Sequence, residues 1–324
     1  MQVGLCLAGG AAELDRVDLG QLCDLGFACL FVTCHEDDVH WRVEQIATFM
    51  RRARARGLVV YAVPSGYGKV LDPDPAAPSL YVDTHPQTLQ VDNRGRRCPK
   101  ACPNNPYFLE WFSSSMRTLA WLLEASGFLW DEPSFHHSRG TWACRCQYCQ
   151  RLYQAWRGAE MPRDFGDDVL AFRESSIVMF LLAAAAAIQA VDYRLESVVM
   201  PTPTLPGMPI FTGTGDWDAI AACSACDILS IFIPWQHHNV PLEQALRDVY
   251  QEATRHTQRH GKRTLLWTAA SPSPRDQVLE AIRVAASLGA ERLVLSDYAS
   301  LIDSAAFPRF ADDLQAAIAA ADQA

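Results

Sequence analysis

Apolar residues recur along the chain in short unbroken runs rather than in strict alternation with polar ones. Eight runs stand out: VGLCLA (3–8), ACLFVTC (28–34), LVVYAVP (58–64), GFLW (127–130), LESVVMP (195–201), DILSIFIP (227–234), RTLLWTA (263–269) and RLVLSD (292–297). A strand wetted on one face alternates, whereas a strand covered on both faces stays apolar, as parallel strands between helices do. Between the runs the period lengthens to that of helices. VEQIATFMRRARARG (43–57) and RDQVLEAIRVAASLG (275–289) each close on a glycine, a helix stop. The stretch 241–261 carries Pro241 near its start and Gly261 after its end, and the helix opening at Pro106 is predicted to run to Gly127. Eight strand-then-helix units in 324 residues predict a single (β/α)8 TIM barrel spanning residues 1–324. A doubly wound open sheet would want a glycine-rich phosphate loop after its first strand, and LAGGAAELD lacks that spacing.

Two stretches break the rhythm. Residues 65–105, rich in Pro, Asp and Gly, follow the third strand, and residues 133–150 follow the fourth. Both leave the carboxyl ends of strands, the face on which barrels of this kind build their sites.

Composition narrows the functional classes. The apolar share of 49% supports a large core, and a net charge of −9 argues against the basic stripe expected of a nucleic-acid binder. No uninterrupted apolar run reaches the ~20 residues of a membrane span. SIVMFLLAAAAAIQAV (176–191) reads as a buried helix instead. The amino-terminal residues lack a basic leader, so the expected location is cytoplasmic. A homo-oligomer is compatible with the sequence. The eleven cysteines are then expected as thiols or metal ligands rather than disulfides. Cys6, Cys23, Cys29 and Cys34 read as small core residues, and the lone pair Cys223 and Cys226 lacks partners in the sequence nearby.

The segment GFLWDEPSFHHSRGTWACRCQYCQ (127–150) concentrates the candidate chemistry. Cys144, Cys146 and Cys149 place three soft ligands within six residues. A tetrahedral zinc site needs a fourth, and RRCPKACPNNPYF offers Cys98 and Cys102 on the other inserted loop. Four thiolates would leave no open coordination position, which makes such an ion structural. His136 or His137 as the fourth ligand would instead suit an open, catalytic metal and a metal-dependent hydrolase. Asp131 and Glu132 end the fourth strand. On an extended strand adjacent side chains face opposite ways, so only one carboxylate is expected to face a substrate.

CPNNPY, then GF-x-x-DE, then C-x-C-x-x-C resembles family 42 glycoside hydrolases, the zinc-containing β-galactosidases, over roughly residues 102–156. The resemblance implies a glycosidase barrel acting on a carbohydrate or glycoside. It also implies a structural Zn2+ on Cys102, Cys144, Cys146 and Cys149, and Glu132 as general acid/base. The chain departs from the family in two places. Asp131 stands where the family has Asn, and the strand that should end in a nucleophilic Glu reads TLLWTAASPSP, with no acid. A second acid must come from elsewhere, and Asp131 and Asp297 are the candidates. A barrel that binds carbohydrate without hydrolysing it is the alternative. Other strand-end residues suit a sugar: the aromatic faces of Tyr67, Trp235, Trp267 and Tyr298 for stacking, and His35, Glu36, Gln236 and His237 for hydroxyls.

Overall fold

Each of the eight apolar runs becomes a barrel strand: β1 Gln2–Leu7, β2 Cys29–His35, β3 Val59–Ser65, β4 Gly127–Asp131, β5 Glu196–Met200, β6 Ile228–Phe232, β7 Arg263–Ala269 and β8 Arg292–Ser296. All neighbours are parallel, and β1 closes the ring by pairing with both β2 (Gly4 opposite Cys29) and β8 (Gln2 opposite Arg292). The computed structural model describes residues 1–71, 78–138, 140–203, 210–233, 240–269, 275–302 and 307–323.

Alternation along each strand splits the apolar side chains into two cores. Leu5, Leu30, Val60, Phe128 and Trp130 point outward into a continuous layer shared with the helices. Cys29, Phe31, Tyr61, Leu129, Val198, Ile228, Leu265 and Val294 fill the barrel interior. Both populations are buried, which is why the strands read as unbroken apolar runs.

The helical layer comprises α1 Leu19–Asp24, α2 Val43–Arg54, α3 Pro106–Leu122, α4 Gln147–Arg157, α5 Asp167–Gln189, α6 Trp217–Ala222, α7 Leu242–Arg259, α8 Arg275–Ser287 and α9 Ala311–Gln323. In α2 the buried residues Ile46, Phe49, Met50 and Ala53 recur at helical spacing, and Gly57 follows at φ 87°, the left-handed stop that its sequence predicts. The Asn105 side chain caps α3 by accepting from the amides of Tyr107 and Phe108, and Pro106 occupies the first turn, where no amide is needed.

Two expectations are corrected. The helix opening at Pro106 stops at Leu122, and Gly127 is the first residue of β4. A Cβ there would lie 2.3 Å from the carbonyl oxygen of Glu196, so the glycine serves the close approach of β4 to β5 and not a helix end. The helix α5 is 23 residues long, and its most apolar window has the length and composition of a membrane span. Half of that window is buried, with Ile177, Phe180, Leu181 and Ala184 packed in the outer core.

The inserted loops fold against each other. Leu89–Val91 pairs with Arg97–Ala101 in the first loop, and His137–Ser138 pairs with Thr141–Trp142 in the second. A bridge between Asp92 and Ala143 joins the two, and the Arg145 amide donates to the Val91 carbonyl at 2.7 Å.

Candidate active site and thiolate centre

The carboxyl ends of the strands enclose a cavity of about 240 Å3 lined by Cys6, Ala8, Thr33, Val63, Asp131, Glu132, Met200, Phe232, Trp267 and Ser296. Asp131 faces inward because it shares the parity of Leu129. By strict alternation Glu132 would face away. It does not, because the chain leaves the extended conformation at Glu132, whose φ is 44°. Asp131 and Glu132 therefore both line one cavity, against the expectation from the sequence. The Glu132 amide donates to the Met200 carbonyl at 2.9 Å, which anchors the turn to β5. A left-handed residue other than glycine costs on the order of 1 kcal/mol and persists where the surroundings impose it, as at functional sites.

The cavity is electronegative. The Cys6 thiol in its wall is held far above the ordinary range, first by burial and then by the negative charge of Asp131, with smaller contributions from Asp297 and Glu13. Cys6 therefore stays a neutral thiol. Sequence reading treated it as a core residue and missed Thr33, Met200, Phe232 and Ser296 altogether. The signal was available: each of these inward positions has the parity of the interior residues on its own strand.

The other candidates are distributed unevenly. Trp267 reaches the cavity, edge-on to Phe31 with ring centroids 4.9 Å apart. Asp297 is not on the wall; its Oδ1 accepts from the Ser300 amide at 2.7 Å and caps the turn Tyr298–Leu301. The Tyr298 hydroxyl donates to the Arg16 carbonyl, and Tyr67 is buried against Trp111 and Phe112 in the outer layer. Glu36 is buried and accepts hydrogen bonds from the Gly68 amide, the Ser79 hydroxyl and the Tyr81 amide, so it braces the loop after β3. The ring of His35 packs over Gly10, where a Cβ would meet it at 2.4 Å. Trp235, Gln236 and His237 lie outside the described residues.

Beside this mouth the two loops bring four cysteines together. The Sγ atoms of Cys102, Cys144, Cys146 and Cys149 all lie within 4.8 Å of one another. Cys102 is 3.4 Å from Cys149 and 3.6 Å from Cys146. These spacings are too long for a disulfide bond and lie just under the ~3.8 Å edge of a tetrahedron built on ~2.3 Å metal–sulfur bonds. Cys146 precedes α4 and Cys149 lies in its first turn, so the positive end of the helix faces the cluster. The Asn104 amide donates to the Cys149 sulfur. Cys98, the rival fourth ligand, stands outside the group, its thiol pushed up to about 11 by burial. Neither His136 nor His137 joins it; His137 stacks on Phe211 with ring centroids 4.9 Å apart.

Without an ion the group cannot carry four negative charges. Burial drives the Cys102 and Cys149 thiols well up, while the Cys146 sulfur is held down by hydrogen bonds from Cys102, Cys144 and Cys149. A divalent cation is the species that lets all four ionise together. The donor set fits a soft or borderline metal with a closed coordination sphere.

No family model and no curated protein matches the sequence. The fold does have relatives among solved structures. The cold-adapted β-galactosidase from Rahnella sp. R3 superposes with a TM-score of 0.72 at 13% identity, over 99% of this chain and 56% of that one. The glycoside hydrolase domain of PgaB (BpsB) from Bordetella bronchiseptica gives 0.68 at 15% identity, with 98% of both chains covered. The endo-β-1,4-mannanase from Thermotoga petrophila gives 0.63 at 10% identity, covering 99% of this chain and 76% of that one. The present chain thus spans little more than half of the β-galactosidase, and what it shares with all three is the fold.

Proposed function

We propose that the protein is a glycoside hydrolase that acts on a carbohydrate or glycoside in the cavity at the barrel mouth. The observation that carries this reading is the convergence of Asp131 and Glu132 on one cavity whose wall also holds Trp267 and Phe232. Aromatic faces suit the apolar faces of sugar rings, and a pair of carboxylates is the common equipment for cleaving a glycosidic bond. Glu132 is the proton donor, set on a turn tied to β5. Asp131 is its partner, because Asp297 is committed to capping a turn. Zinc on the four cysteines is structural, holding the loops that form one side of the mouth.

One observation favours a second reading, a barrel that binds carbohydrate without cleaving it. The sequence has no carboxylate between β5 and Asp216, between β6 and Glu243, or between β7 and Asp276. The ends of β5, β6 and β7 therefore lack the acid that would complete a pair at ~5 Å or at ~6.5–9.5 Å across a sugar. A metal-dependent hydrolase is disfavoured, because the four cysteines already close a coordination sphere.

Paired substitutions separate the readings, with reducing-end release from a panel of glycosides and oligosaccharides as the assay. Asp131→Asn is expected to lower turnover by about 100-fold while leaving the melting temperature nearly unchanged. Asp297→Ala is expected to do the opposite, keeping turnover and costing about 1 kcal/mol of stability as the cap is lost. Turnover that falls with Asp297 and not with Asp131 would reverse the assignment. A wild-type protein that binds sugars and releases no reducing ends would establish the second reading.

A further inference from the structure

Arg173, in the first half of α5, is 1% exposed. A buried guanidinium is ordinarily matched by a carboxylate. Arg173 has none: among the described residues its hydrogen bonds go to the backbone carbonyls of His136, Ala143 and Phe211. Its Nε has no partner. Its planar head lies over the rings of Phe165, Trp142 and Phe135, with centroids at 4.9, 5.4 and 5.6 Å. Carbonyl dipoles and ring faces soften the loss of water but supply no net negative charge.

The charge comes from elsewhere. The guanidinium holds the carbonyl of Ala143, the residue before Cys144. Burial pushes Arg173 down to about 9, and among the described residues the sulfurs of Cys144, Cys149 and Cys98 oppose that shift. Two of these belong to the four-cysteine group. A divalent ion bound by four thiolates carries two net negative charges, and a cation beside it offsets part of that charge.

We propose that Arg173 is the counter-charge of the thiolate metal centre and ties metal occupancy to the loop that follows Glu132. This rests on reading the four cysteines as a metal site. Two of the three carbonyls that Arg173 holds, those of His136 and Ala143, belong to that loop. The third, of Phe211, adjoins Thr212, whose carbonyl accepts from the Phe135 amide. With the metal in place the guanidinium is compensated and clamps the loop. With the metal gone the guanidinium loses most of that compensation, and the clamp is the part of the fold that gives way.

The consequence differs in kind from that of an ordinary packing residue. Arg173→Met keeps much of the volume and removes the charge; Arg173→Lys keeps the charge and loses the fork. Zinc retention against a competing chelator at fixed pH, and melting temperature before and after zinc removal, are measured for wild type and both variants. Arg173→Met is expected to weaken zinc retention at least about tenfold. It is also expected to lose less than half as many degrees on zinc removal as wild type does. Arg173→Lys is expected to stay within about threefold of wild type in zinc retention. Equal losses of melting temperature in wild type and Arg173→Met would overturn the proposal, because a packing residue costs the same with and without metal. Should Arg173→Met fail to fold, the lysine variant decides: retention more than about tenfold below wild type would likewise overturn it. A wild-type protein that binds no zinc would instead remove the metal centre itself, and the counter-charge with it.

Discussion

Serine in place of Cys146 is expected to strip the protein of its metal and to lower its melting temperature by on the order of 10 °C. The serine hydroxyl is of similar size but remains protonated, so the site keeps three thiolates and loses its closed tetrahedron. An ion that binds only the folded state stabilises it by about 4 kcal/mol when free metal stands at ~1,000 times its dissociation constant. For a chain of this size each kcal/mol is worth ~1.5–2 °C. The barrel interior is separate from the loops and is expected to survive, so the variant should keep its far-ultraviolet dichroism at room temperature. Elemental analysis gives the metal per chain, and calorimetry gives the transition. A variant with wild-type metal content and an unchanged transition would remove the centre from the account. Because the four sulfurs leave no position for a bound water, exchange of zinc for cadmium is expected to leave turnover nearly constant.

Replacing Glu132 by glutamine is expected to lower glycoside turnover by about 100- to 10,000-fold, the range that a positioned proton donor contributes. The amide preserves the shape of the side chain but has no transferable proton. The turn at Glu132 is set by its backbone, which donates to the Met200 carbonyl, so the variant should fold and melt as wild type does. Substrates with good leaving groups need less protonation and should lose least. Equal losses across leaving groups, or wild-type turnover, would show that Glu132 does not supply the proton.

The barrel was legible because burial on both faces of a parallel strand writes itself into composition, run after run. The four cysteines were legible for a different reason: soft ligands at close spacing have few other uses, and it is Cys102 that joins the other three although Cys98 lies only four residues away. The wall of the mouth cavity was less so. Asp131 and Glu132 could be named, but their convergence depends on one backbone angle that no side-chain pattern encodes. Glu36, Tyr67 and Tyr298 were placed at strand ends correctly and given the wrong surroundings, since a strand end says where a residue is and not which way its side chain turns. Arg173 was invisible, because its partners come from segments separated by 30 or more residues and none is a carboxylate.

The most direct test of the central claim is a crystal structure of the zinc-loaded protein with a bound iminosugar, whose ammonium mimics the charge that develops at the anomeric carbon. The expected result is the inhibitor in the mouth cavity, its nitrogen within about 3 Å of a carboxylate oxygen of Asp131 or Glu132, one ring face against Trp267, and four sulfurs on the metal with no bound water. An inhibitor seated elsewhere, or one coordinated to the metal, would contradict it.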